Sequence, residues 1–208
     1  MFTLVRLLTV LVTFAPSLVA GAPTADPQRP PSADGGPRIR PYDAWSAALL
    51  LEGLERSSTI RNLSDRLEEL DVIVYIEMRP ALPVKLGGTM TWLTAAGPYR
   101  YVRISLNPKL IHDAVIATLG HELQHALEVA EAPAIRDAAS LESYYRQNGL
   151  GTASDVGGLD TEAARIIGVD VRRELAGARV SRVAESIPAF KVEEWHSMYW
   201  RARGMLPP

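Results

Sequence analysis

The chain has 208 residues, 47% of them apolar and 22% charged, with a formal charge of −2 at neutral pH. This is the composition of an ordinary globular domain, and without a basic stripe interleaved with aromatics it argues against a nucleic-acid partner. Cysteine is absent, which excludes disulfides and thiolate ligands and leaves histidine and carboxylates to build any metal site.

The N-terminus reads as an export signal over residues 1–21. Arg6 supplies the positive end, Leu7 to Ala15 the apolar stretch before Pro16, and Val19-Ala20-Gly21-Ala22 the small residues of a cleavage region. Such a leader predicts a periplasmic or secreted protein with no stable membrane insertion once the leader is removed. Residues 22–41 hold six prolines and almost nothing apolar, the pattern of a polyproline-like tether. The folded domain is expected over 42–208.

Within that domain, Ala44, Ala47, Ala48 and Leu51 recur at helical spacing and predict a first helix to about Arg56. Ser58 resembles an N-cap for a second, with Ile60, Leu63, Leu67 and Leu70 on one side. The β-branched run Val72 to Ile76 predicts a buried strand. Gly87-Gly88 marks a turn before a strand over Thr89 to Thr94, and Ala95 to Pro98 turns into a third strand, Arg100 to Leu106. Its alternation sets Val102, Ile104 and Leu106 on one face. Asn107-Pro108 then opens a helix that is apolar-periodic from Ile111 to Ala130, and further helices are expected near 137–147, 160–177 and 190–203. The fold class is α+β: N-terminal helices, a small mixed or antiparallel-containing sheet, a long helix, and a helical C-terminal part.

The long helix carries His121-Glu122-Leu123-Gln124-His125. With four His and 14 Glu in the chain, chance supplies about 0.005 such H-E-x-x-H segments, so coincidence is a poor explanation. Residues four apart share one helix face, which lets both imidazoles reach one ion, while Glu122 is rotated to meet a metal-bound water. Two neutral nitrogen ligands, an open position and an adjacent base are what Zn²⁺-dependent hydrolysis requires.

Three glutamates compete for the third ligand position: Glu128, Glu131 and Glu162. Glu128 shares the face of both histidines but lies about 10 Å from His121 along a straight helix, too far for three ligands to converge, and suits a partner of a ligand or a surface charge. His112 falls on the opposite face and reads as structural. His196 sits in the aromatic stripe Trp195-His196-Ser197-Met198-Tyr199-Trp200, which fits a core helix better than catalytic machinery.

This order of elements resembles the zincin metallopeptidases over approximately residues 43 to 180, with Ala117-Thr118-Leu119-Gly120-His121-Glu122-Leu123-Gln124-His125-Ala126 matching their active-site helix. The resemblance implies a zincin-like fold, Zn²⁺ on His121 and His125, Glu122 as general base, and a peptide or protein substrate. It is similar to gluzincins in particular, which take their third ligand as a Glu from a separate downstream helix. That points to Glu162, separated from the motif by 36 residues and opening a helix for which Asp160 or Thr161 is the candidate cap. Glu131 has the third-ligand spacing of metzincins, but Glu128 stands where that family has Gly. Tyr144, Tyr145, His196 and Tyr199 form the pool for stabilising an oxyanion. Arg100 to Leu106 is a candidate edge for an extended peptide, with Arg100 or Arg103 favouring acidic substrates or, alternatively, deterring edge aggregation. The rival readings are a non-catalytic zinc-binding exported protein and an interaction module on a proline-rich tether.

Overall fold

The computed structural model describes residues 36–83, 85–149, 160–177 and 192–205. The expected leader and residues 22–35 of the expected tether lie outside them. No helix among the described residues is long and apolar enough to cross a membrane.

The protein is a mixed α/β fold. Strand β1 (Ile39–Pro41) precedes α1 (Ala44–Arg56) and α2 (Ser58–Glu68), followed by β2 (Val72–Met78), β3 (Gly88–Ala96) and β4 (Tyr99–Leu106). Helices α3 (His112–Glu131), α4 (Ala138–Asn148), α5 (Glu162–Gly177) and α6 (Val192–Ala202) complete the described chain. Strand β1 corrects the sequence-based boundary, since the expected tether ends inside the sheet. Ile39 is fully buried and pairs in parallel with Val74, and proline is tolerated because β1 is an outer strand.

The sheet order is β1-β2-β4-β3, with only β3 antiparallel to its neighbour. Strand β4 is therefore interior and offers no free edge, which removes Arg100 to Leu106 as a peptide-binding edge; β1 and β3 are the outer strands. As the alternation predicts, Val102, Ile104 and Leu106 join Val72, Val74 and Ile76 in one core with the helices. Arg103 lies on the other face, 3.6 Å from Glu77.

Local chemistry sets the helix ends. Asp43 caps α1 by accepting from the Ser46 N–H at 2.8 Å in a reciprocal capping box, and Ser57, not Ser58, caps α2 through the Ile60 N–H at 3.1 Å. Helix α3 has no basic residue in its last turn. The orphan carbonyls there are met instead by Arg100, which is 1% exposed and donates to the carbonyls of Val129 at 2.6 Å, Ala130 at 2.8 Å and Ala132 at 2.9 Å. Asp71 neutralises the guanidinium. A strand residue expected at a surface is thus a buried clamp on the end of the central helix.

Helices α3 and α5 run antiparallel in close contact. Thr161 meets Glu128, Gly168 meets His121, and Arg56 joins Asp113 to the Leu175 carbonyl. A Cβ on Gly120 would stand 2.7 Å from Val171 Cγ2. A mid-helix glycine costs about 1 kcal/mol relative to alanine, so its presence here serves the contact rather than the helix. Gly120→Ala should destabilise the protein by about 1–3 kcal/mol despite the better helix former. Urea unfolding of Gly120→Ala with and without Val171→Ala checks this: the second change should recover part of the loss, and a stabilised single variant would contradict the packing argument.

Candidate metal centre

His121 and His125 stand one turn apart on the buried side of α3, and their Nε2 atoms face each other at 3.2 Å. Asp160, immediately before α5, brings Oδ1 to 3.4 Å from His121 Nε2 and 3.7 Å from His125 Nε2. Ligands about 2.0–2.1 Å from a tetrahedral ion sit about 3.4 Å from one another. The three separations match the edges of such a tetrahedron, and the donor set of two imidazoles and one carboxylate suits Zn²⁺. Among the described residues, these three form the group able to hold a metal ion.

Asp160 thus stands where Glu162 was expected. Glu162 is the first residue of α5 and lines the same cavity, but its carboxylate accepts from Arg165 Nη1 at 2.9 Å and its side chain is largely exposed. The reason lies in the cap. Thr161 accepts from the Ala164 N–H at 3.1 Å, so it, and not Asp160, closes the helix start. Asp160 Oδ1 accepts the adjacent Thr161 N–H, at 2.8 Å, and that bond holds the oxygen toward the histidines. Glu131, the other alternative, pairs with Arg66 away from the group.

Each histidine is held from behind. His125 Nδ1 lies 2.9 Å from Glu128 Oε2, and the Thr161 hydroxyl donates to Glu128 Oε1 at 2.7 Å. His121 hydrogen-bonds the Ala164 backbone and packs beside Gly168. Such partners fix ring orientation and leave Nε2 for the metal. Glu128 and Thr161 therefore orient an imidazole of the candidate group rather than belonging to that group. The Glu128 role was open in the sequence; Thr161 carried only a capping signal.

The charges follow from burial. At His125 burial pulls the pKa down, but the Glu128 hydrogen bond and surrounding carboxylates outweigh it and the pKa is raised. His121 is lowered, first by burial and then by the charge of His125. At Glu128 burial pushes upward, yet the His125 and Thr161 hydrogen bonds prevail and hold it below the usual carboxylate range. Glu122, 5% exposed, is pushed up to about 7 by burial. Its carboxylate accepts a backbone hydrogen bond from Met90, and a Cβ on Gly88 would reach Oε1 at 3.0 Å, so β3 lies directly on it.

His121, Glu122 and Asp160 line one side of a cavity of about 770 Å³ between α3, α5 and the start of β3. Of the oxyanion pool, Tyr145 is buried behind His125, with its hydroxyl 3.4 Å from Glu128 Oε2 and not turned to the cavity. Tyr199 donates to Glu68 at 2.6 Å, and His196 lies edge-on to Trp195 on the same helix. Tyr144 packs edge-on against Tyr145. His112 pairs with Glu52 at 2.6 Å, remote from the motif, as its helix face predicts. No family model, curated protein or solved structure matches the chain.

Asp160→Ala should abolish stoichiometric zinc binding while Glu162→Ala retains it, measured as metal content of the purified proteins; the reverse result would restore Glu162. Metal binds neutral imidazole, so protons compete below the raised His125 pKa and zinc affinity should climb as pH rises through the region above 6.5. Glu128→Gln should weaken zinc about 10–100-fold at pH 8. Because it also removes the main raising influence on His125, the variant's proton competition should begin at lower pH. Zinc titrations from pH 6 to 8 check both effects.

Proposed function

We propose that the protein is a zinc-dependent hydrolase of peptide bonds, a zincin-like metallopeptidase exported by its leader. The observation that carries this is the convergence of His121, His125 and Asp160 at metal-ligand separations beside the buried Glu122 carboxylate, at the wall of an open cavity. The gluzincin resemblance is retained in the reading with one change, Asp160 in place of Glu162 as the third ligand.

A bound Zn²⁺ would supply Lewis acidity to a water and to the substrate carbonyl. The chain's own work is proton handling and positioning. Glu122 takes a proton at its carboxylate and returns it to the leaving amine; a group held near 7 by burial is suited to both transfers at neutral pH. Glu128 and the Ala164 backbone keep the two imidazoles from rotating. Outer strand β3 offers its backbone to an extended peptide close to Glu122, the role that interior β4 cannot fill. A purely structural metal site has no use for an ionisable carboxylate at the cavity wall.

Glu122→Gln should keep full zinc content and lose about 10²–10⁴ in turnover against a fluorogenic peptide mixture. Undiminished hydrolysis by that variant would sink the assignment of the base.

A further inference from the structure

Beyond the candidate metal group the same cavity is lined by Ala114 and Ala117 of α3 and by Ile166 and Val169 of α5, each of the latter two 49% exposed. Solvent-facing apolar residues on both turns of one helix give this stretch the character of a binding surface. On the far rim α5 presents Arg165, Arg172 and Arg173. Arg165 is paired with Glu162 at 2.9 Å and Arg173 with Asp170 at 2.7 Å. Arg172 has no hydrogen-bond or ion-pair partner among the described residues. The rim therefore keeps one uncompensated positive charge.

We infer that Arg172 sets substrate specificity: the groove takes an extended peptide that is apolar beside the cut bond and carries an acidic side chain farther along, which Arg172 binds. The spacing follows from the helix. Gly168 is level with His121, and Arg172 lies four residues beyond it, about 6 Å along the axis. An extended chain covers that distance in about two residues. The apolar walls match the neutral part of the peptide, and the unpaired guanidinium matches its carboxylate. Lysine at the same position would meet like charge and lose binding.

This inference rests on the peptide-hydrolase reading, and the two are separated by measuring binding apart from turnover. The probes are two short fluorescein-labelled peptides with a central apolar pair, bearing either Glu or Lys two residues to each side of it. Fluorescence polarisation with the full chain carrying Glu122→Gln and supplied with zinc should show the Glu peptide bound about fivefold to tenfold more tightly. Adding Arg172→Gln should remove the preference and adding Arg172→Glu should reverse it; Arg172 is exposed, so neither change disturbs the core. Equal binding of the two peptides, no binding, or a preference unchanged by both substitutions overturns the inference. Charge-selective binding without any cleavage by the unsubstituted protein overturns the hydrolase reading and leaves the groove assignment standing.

Discussion

Helix α5 can lie against α3 at the distance the site needs because α3 presents glycine at the crossing. Gly120 leaves the space that Val171 fills, where an added Cβ would stand 2.7 Å from Val171 Cγ2. Interiors are packed to near-crystalline density, so a methyl group at such a point is not absorbed by slack. The contact sets the height of α5 relative to α3, and that height puts Thr161 within reach of Glu128 and Asp160 within reach of both imidazoles. A residue that costs helix stability, Gly120, is thus a condition for a three-residue donor group.

The central helix is fixed at its far end as well. Without a basic residue of its own in the last turn, α3 would leave carbonyls unpaired in a buried setting, a cost of about 1–3 kcal/mol each. Arg100 meets them from the sheet, with Asp71 balancing its charge. The pair is worth little as an attraction alone, since burying two charges offsets much of the Coulombic gain. What it provides is a fixed register of α3 over β4. The motif histidines are held from one side by the sheet clamp and from the other by α5.

Burial then gives neighbouring groups opposite tasks. The same exclusion of water that raises Glu122 to about 7 would also drive protons off His125, were Glu128 not hydrogen-bonded to its ring. Glu128, in turn, stays ionised because Thr161 and His125 satisfy its oxygens. Two carboxylates six residues apart on one helix are therefore driven apart in charge by what surrounds them: one raised to about 7 by burial, one held ionised beside an imidazole.

Much of this was legible in the chain itself. The periodicities marked all six described helices close to their ends and the three long strands, because apolar burial on one face is a local pattern. His121, Glu122 and His125 were legible because helix geometry alone places residues four apart on one face. Three features were not. Strand β1 hid among prolines, since Ile39 is its only strongly apolar residue and its pairing with β2 is non-local. Arg100 read as a surface charge, because nothing in an alternating strand tells which strand will be interior. Asp160 read as a helix cap, because Thr161 beside it competes for the same task and only the folded cap geometry decides between them. Sequence by itself determined the helix that carries two imidazoles and a carboxylate on neighbouring faces. Only the tertiary structure decided which carboxylate joins them, because that depends on the depth of a glycine-lined helix crossing between residues more than thirty positions apart.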